Sequence, residues 1–456
     1  MVRFVVRNVF SLGNQREFHM IPGAQKNLQH HKYKVLPDFS LLKLTAVYGP
    51  NASGKSNLIR AIGLFQNLVL NSEVSVALVQ ERFHFKLEEI GDGSQLLAVE
   101  FIQDGKPFYY ALQLKGGYVA VEELYKSGLG KKPDELLFER KTDAQGKISL
   151  RFYKAFEENE KAVMLKSLLE EEFLSPDKTA FRELANRQHA LLGEVKTAFK
   201  WFKDTLRVVL PDAKPNLLTY RMEKDSGFKR YIEHFLCSLH VGIEAVSLET
   251  RDLVEFFSAE ELKEVMPFFK EQEDRLISFR RLGSKKEIVL VREEGEIVVK
   301  QIKLEHKAAE GQSVPFDLEE ESDGTIRLME LAPAFYELMK ETKVYVVDEL
   351  ERSLHPLLIR ELIEKFSLDE QTKGQLVFTT HESQLLDQRI FRQDEIWLAE
   401  KDQRGMTDLY SLDTFKPHKT INIRKGYLNG RYGAIPFLGD LQNLNWRNYA
   451  SEKSPV

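Results

Sequence analysis

One cysteine, Cys237, is all the chain contains, which excludes an internal disulfide framework and any Cys-x-x-Cys metal site. That scarcity fits a reducing compartment. No apolar run approaches the roughly 20 residues needed to span a bilayer. The N-terminus, Met1-Val2-Arg3-Phe4-Val5-Val6-Arg7-Asn8, lacks the basic-then-apolar pattern of a secretory signal. These absences predict a cytoplasmic protein without a membrane segment. Nor is there an excess of charge: 65 Lys and Arg face 70 Asp and Glu, a formal net charge of −5. The whole-chain balance does not advertise nucleic-acid binding, and any DNA contact needs a local basic patch. The chain also has no internal repeat and no low-complexity segment.

What is present is α/β texture at both ends with a different middle. Residues 1–150 are strand-rich. Phe4–Val9 is β-branched and aromatic, and Leu42–Tyr48 is a short apolar run ending at a glycine, as a buried strand does. Ser56–Leu70 has helical spacing. Runs at Leu96–Gln103, Phe108–Leu114 and Tyr118–Val121, separated by Asp104-Gly105 and Gly116-Gly117, predict an antiparallel meander. From about Tyr153 the chain turns charged and helix-periodic over 154–174 and 178–209, broken by Ser175-Pro176-Asp177 and closed by Pro211-Asp212. A further helix is predicted from Ser258, with a capping box to Glu261. Residues 151–283 therefore read as mainly helical. Strands are expected again at Glu287–Val291 and Glu296–Leu304, around a Glu293-Glu294-Gly295 turn. The remainder alternates: helix Ile326–Met339, strand Val344–Val347, helix His355–Phe366, strand Gln375–Thr379.

Four elements carry chemistry. The first is Gly49-Pro50-Asn51-Ala52-Ser53-Gly54-Lys55-Ser56, entered by a buried strand and left by an amphipathic helix. Backbone N–H groups of such a turn point at phosphates, where the helix dipole favours negative charge. Lys55 would reach the β- and γ-phosphates of ATP, and the Ser56 hydroxyl would ligate Mg²⁺. The second is Asp348-Glu349, delivered to the C-terminal end of an apolar strand. There Asp348 would hold Mg²⁺ through water and Glu349 would polarise the attacking water. An acidic pair after a strand is otherwise a solvated strand end. The third, Thr379-Thr380-His381, closes another apolar strand, where a histidine either touches the γ-phosphate or is an ordinary strand-end residue. The fourth, Ser322-Asp323-Gly324-Thr325, opens a helix and is either a second anion site or a plain cap. One chain cannot easily aim two such sites at one phosphate; two chains facing each other can.

In this order the four elements resemble the ABC-type ATPase heads of the SMC/Rad50/RecF group. More closely they resemble the bacterial AAA_15/AAA_21-type ATPases, the ATPase subunits of abortive-infection and related anti-phage systems. The residues behind the resemblance are Asn8…Ser11, the loop Tyr48–Asn57, Glu321–Leu328, Asp348-Glu-Leu-Glu-Arg-Ser-Leu-His-Pro356, Thr380-His381 and Tyr427-Leu-Asn-Gly-Arg-Tyr-Gly-Ala-Ile-Pro436. The resemblance implies an α/β P-loop NTPase of ABC-head type with an antiparallel β subdomain and a mainly helical insertion. Its expected parts are an N-terminal lobe over 1–150, an insertion over 151–283, a C-terminal lobe over 284–400 and an appendage over 401–456. It implies ATP and Mg²⁺ as cofactors, with Gly49, Asn51, Ala52, Ser53, Gly54, Lys55, Ser56 and Asn57 around the nucleotide, and Ser56 and Asp348 at the metal. Lys55, Glu349 and His381 take the catalytic roles.

The same resemblance implies an ATP-sandwiched homodimer or higher oligomer. Ser322 and Gly324 then serve as the signature turn, and Ser353 to His355 form the loop that crosses the interface. The turn reads Ser-Asp-Gly-Thr where the family pattern has Ser-Gly-Gly, and Gln80 is the candidate for the glutamine loop. Relatives of this kind work with a second polypeptide, often a TOPRIM-type nuclease, and the 75 residues after His381 are too few for such a domain. The expectation is thus a defence ATPase that holds or releases a separate effector. The alternative is a RecF- or SMC-like DNA-maintenance ATPase. Basic stretches at Lys224…Lys229-Arg230 and Arg275…Arg280-Arg281…Lys285-Lys286 are either solvated faces or phosphate tracks. Arg431 and Tyr432 belong to a partner interface, to the nucleotide site or to a tight turn.

Overall fold

A computed structural model describes residues 1–71, 74–211, 218–239, 241–258, 260–263, 276–279, 288–293, 296–309, 311–418 and 420–435. The chain forms two compact units, one of residues 1–203 with 379–456 and the other of residues 204–378.

In the first unit the strand Leu44–Tyr48 is buried at every position. It runs parallel to Ile396–Lys401, with Ala46 opposite Ile396 and Tyr48 opposite Leu398. A strand buried on both faces has no use for polar alternation, which is why the run reads as continuously apolar. Ile396–Lys401 then turns back into Thr407–Ser411 as an antiparallel hairpin. The expected meander is present and larger than its three predicted strands. Seven strands run in the order 148–152, 135–142, 118–126, 106–115, 95–103, 3–7, 16–19.

The helix Lys55–Leu70 lies on an aromatic core. Phe65 stacks on Tyr110 at 5.5 Å and meets Phe202 edge-on at 5.4 Å, while Phe101 stacks on Trp201 at 4.6 Å. Offset and edge-on ring pairs of this kind add about 0.5–1.5 kcal/mol each beyond the area they bury. The meander thus fixes the helix whose first turn carries Lys55 and Ser56.

The predicted helices over 154–174 and 178–209 are short pieces instead: Lys154–Glu157, Glu160–Leu168, Ala180–Asn186 and Gly193–Lys200 are the α-helical parts. The break has a cause. Arg140, fully buried, donates to the carbonyls of Ser175 at 2.9 Å and Pro176 at 3.3 Å, and also to that of Lys178. Those carbonyls are occupied outside any helix. Beside Arg140, the equally buried Glu122 accepts from Ala180 N at 2.7 Å, Phe181 N at 2.8 Å and the Tyr110 hydroxyl at 2.9 Å. The pair clamps the 175–186 segment to the meander.

In the second unit, Leu206–Val209 departs from its predicted helix. It is a strand paired in parallel with Val344–Val347, which pairs in parallel with Gln375–Thr379. Val208 and Val209 suit that pleated, half-buried position. Val344–Val347 itself matches its prediction to the residue and is wholly buried. Strand Ile243–Asp252, absent from the helical reading of 151–283, pairs with Glu296–Lys307 in a separate antiparallel sheet. The capping box is observed: Ser258 N donates to Glu261 Oε2 at 2.9 Å and Glu261 N to Ser258 Oγ at 3.3 Å. The Glu293-Glu294-Gly295 turn falls largely outside the described residues, as do Asp212 and most of the basic stretch 275–286. Among the described residues no helix is long and apolar enough to cross a membrane.

Candidate functional site

The loop after Leu44–Tyr48 is shaped by backbone that tolerates little else. Gly54 has φ 104°, and a Cβ there would lie 1.9 Å from Thr407 Oγ1. A Cβ at Gly49, φ 156°, would lie 2.2 Å from the Ala399 carbonyl of the neighbouring strand. Ala52, at the exposed tip beside Asn51, is left-handed at φ 63°. A left-handed non-glycine residue costs about 1–2 kcal/mol, so the surrounding contacts hold the loop in this form. Lys55 is buried, and its Nζ donates to the carbonyls of Gly49 at 2.8 Å and Pro50 at 3.0 Å, standing 3.4 Å from His381 Nδ1. Thr380 N donates to Val47 O, which sets the 379–381 segment alongside the loop's own strand. Ser53 Oγ is buried with no hydrogen-bond partner among the described residues. A cramped glycine cradle, an orphaned hydroxyl and a converging lysine and histidine at a helix N-terminus fit a bound phosphate chain. Lys55, Ser56 and the loop amides are the groups that would hold ATP there.

A hydroxyl chain braces this loop from outside the motif. Asn57 Nδ2 donates to Ser11 Oγ at 2.7 Å, Ser11 Oγ lies 2.6 Å from Thr407 Oγ1, and Thr407 Oγ1 donates to Ser53 O at 2.8 Å. Thr407 spends its only proton on Ser53, so Ser11 must donate to Thr407, and the chain is fully satisfied in one direction. Thr407 N also donates to Ser11 O at 2.7 Å. Thr407→Val keeps the shape and strands one buried acceptor, the Ser53 carbonyl, and one buried donor, the Ser11 hydroxyl, at a cost of about 1–3 kcal/mol. We expect ATP affinity to fall about tenfold with turnover at saturation nearly unchanged, and Thr407→Ser to restore it. Titration calorimetry reads this directly; wild-type affinity in the valine variant would show that the brace does not set the loop.

In the second unit Asp348 is buried, and its N–H donates to Val209 O at 2.9 Å, continuing the parallel ladder. Glu349 sits at the strand's end with φ 50°, a left-handed backbone that a glutamate adopts only under constraint. The constraint is visible. Arg327, buried on the helix Asp323–Lys340, donates to the carbonyl of Glu349 at 3.1 Å and to that of Asp348 at 3.4 Å. At the head of that helix Ser322 is the cap, its Oγ accepting from Thr325 N at 3.1 Å. The capping reading of Ser322 is therefore observed, and its residue remains exposed. A Cβ at Gly324 would stand 2.9 Å from the carbonyl of Ser353, so the turn needs glycine for its close approach to the 353–355 loop. Ser353, at φ 61°, and His355 are exposed, and His355 Nδ1 caps the helix Pro356–Leu368 through Leu357 N at 3.3 Å.

The structure thus brings together Gly49, Gly54, Lys55 and His381 in one unit, and Ser322, Gly324, Asp348 and Glu349 in the other. Gln80 is otherwise engaged: its side-chain oxygen accepts from Gly117 N at 2.5 Å, tying a helix to a meander turn. Sequence reading missed Ser11 and Thr407 as loop braces and Arg327 as the strut under Glu349. Arg327 lay within a quoted motif; Thr407 carried no local signal.

A buried parallel strand feeding a glycine loop and helix, and a strand that ends in paired carboxylates, are the parts of a P-loop ATPase. The AAA_21 family, described as "AAA domain, putative AbiEii toxin, Type IV TA system", matches residues 44–387, and the chain belongs to it. Two solved structures of SMC heads are similar to the chain. One, an SmcHead bound to the C-winged helix domain of ScpA, shares 13% identity over 91% of this chain and 99% of that one, with a TM-score of 0.40. The other, the SMC head domain from Thermotoga maritima, shares 12% identity over 90% and 98%, with a TM-score of 0.34. No curated protein matches the chain.

Proposed function

We propose that the chain is a nucleotide-driven dimeric switch in the cytoplasm. ATP and Mg²⁺ bind at the Lys55 loop with Ser56 and Asp348 toward the metal, Glu349 activates the attacking water, and His381 reports the γ-phosphate. A second copy completes the site with its own Ser322 turn. The observation that carries this reading is the coupling inside the second unit. An anion-type helix start, Ser322 to Thr325, exposed at Ser322 and Asp323, packs on the 353–355 loop through Gly324 and reaches the backbone of Asp348 and Glu349 through Arg327. An exposed turn so tied to the carboxylates suits a part that must feel the nucleotide of another molecule. Residues 151–283 are then an insertion between the two ATPase lobes, and 401–456 an appendage.

The switch would hold or release a separate effector, a nuclease in our reading, in a defence response; the toxin–antitoxin wording of the family supports that direction. Sedimentation with a non-hydrolysable ATP analogue and Mg²⁺ tests the core of the proposal. Mass should double on nucleotide addition and return to the monomer value when Ser322 is replaced by arginine. A wild-type chain that stays monomeric at saturating analogue removes the two-copy site.

A further inference from the structure

The Tyr427–Ala434 motif is not used by the nucleotide reading, and it sits in a long stretch whose charges are all of one sign. Between Phe415 and Gly439 there are Lys416, Lys419, Arg424, Lys425 and Arg431, and no aspartate or glutamate, although acids outnumber bases over the whole sequence. Lys419 lies outside the described residues. The other four cations are exposed, and none makes an ion pair among the described residues. Exposed arginines elsewhere in the same unit do find carboxylates, as Arg389 does with Asp387 and Arg404 with Glu88.

The stretch is a built platform. Asn422 caps the short helix Ile423–Leu428 through Lys425 N at 2.8 Å, and Ile423 and Tyr427 are buried beneath it. Gly430, at φ 74°, reverses the chain so that Arg431 N donates to Gly426 O at 2.9 Å. Tyr432 is 1% exposed, and its ring fills the space over Gly426, where a Cβ would lie 2.8 Å from Cε2. Its carbonyl accepts from the Tyr410 hydroxyl at 2.9 Å, and Ala434 N donates to Glu400 Oε2 at 2.7 Å. The aromatic and small residues of the motif are thus spent inward, on anchoring. It displays its cations, with Leu428 and Phe415 exposed beside them.

We propose that this platform binds the phosphate backbone of nucleic acid. A protein interface draws its energy from aromatic anchors buried at its centre, and here Tyr427 and Tyr432 are already buried in the chain's own fold. Cations without a carboxylate partner on a fixed scaffold gain from a polyanion that releases condensed counter-ions when it docks. The contact reads charge, so it is independent of base sequence. It goes beyond the dimer switch and gives that switch a ligand on the first unit.

The test is fluorescence anisotropy with a mixed-sequence 30-base-pair duplex and a single strand of equal length, between 50 and 200 mM salt. Wild type should bind at least one of them, with log K falling against log salt at a slope of about −3 to −4, the four displayed cations each contributing about 0.7–0.9. Arg424→Ala with Lys425→Ala and Arg431→Ala should flatten the slope by two to three units and weaken binding more than about tenfold at low salt. Its melting temperature and basal ATP hydrolysis should stay at wild-type values. Replacing Lys26, Lys132 and Lys161 by alanine instead should leave binding intact. No binding by wild type at 50 mM salt overturns the proposal, as does an unchanged slope in the first triple variant. Preference for polyglutamate over either nucleic acid would reassign the platform to an acidic protein and overturn it too.

Discussion

Lys55→Ala is expected to weaken ATP binding by about thirtyfold or more, while the nucleotide-free protein melts within a few degrees of wild type. Without nucleotide the ammonium already has partners. It is buried at the start of a helix, bonded to the Gly49 and Pro50 carbonyls. Alanine at this position removes two donors but is the best helix former, so the fold loses little. With nucleotide present the balance differs. The same ammonium would form charge-assisted bonds to phosphate oxygens, and truncating one partner of such a buried pair costs about 2–5 kcal/mol. At 1.4 kcal/mol per factor of ten that is thirtyfold at the least. Titration with ATP and Mg²⁺ reads the affinity, and a melt without nucleotide reads the fold. Unchanged affinity in a folded variant would move the phosphate site away from this loop.

That loop was legible because its chemistry is local. Eight consecutive residues specify the turn, and the flanking strand and helix announce themselves by apolar run and helical spacing. Strand Val344–Val347 was equally plain, four apolar residues buried on both faces and ended by two carboxylates. What supports these parts was not legible. Thr407 braces Ser53 across 354 residues and Ser11 across 396, and a lone threonine in a hairpin gives no local sign of it. The strand Leu206–Val209 follows a helical pattern without a break, and only its pairing with Val344–Val347 makes it a strand. The break at Ser175-Pro176-Asp177 was legible, but its anchoring to the meander was not: that comes from Arg140, which takes the carbonyls of Ser175, Pro176 and Lys178. In each case the deciding partner is far away in sequence.

The strut under Glu349 shows why such long-range parts matter. A glutamate at φ 50° is held out of its preferred backbone, and Arg327 binds the two carbonyls that set its direction. Arg327 stands one helical turn beyond the Ser322 cap. A force on the exposed turn therefore has a short path to the carboxylate, through one helix and one guanidinium.

Glu349→Gln isolates the last step. The change is isosteric, glutamine meets the same left-handed backbone at the same cost, and the Arg327 contacts are to main-chain oxygens that remain. Only the base is lost. A positioned general base contributes about 10²–10⁴-fold, so turnover should fall by that factor while ATP affinity stays within about threefold. If two copies close over nucleotide, the variant should accumulate as a dimer in ATP and Mg²⁺ and remain a monomer in ADP, read by sedimentation. The two readouts separate two claims. Turnover above a tenth of wild type removes Glu349 from the role of base. Slow turnover in a strictly monomeric variant keeps the base and removes the second copy. Only slow turnover together with an ATP-dependent dimer supports a switch in which hydrolysis times the release.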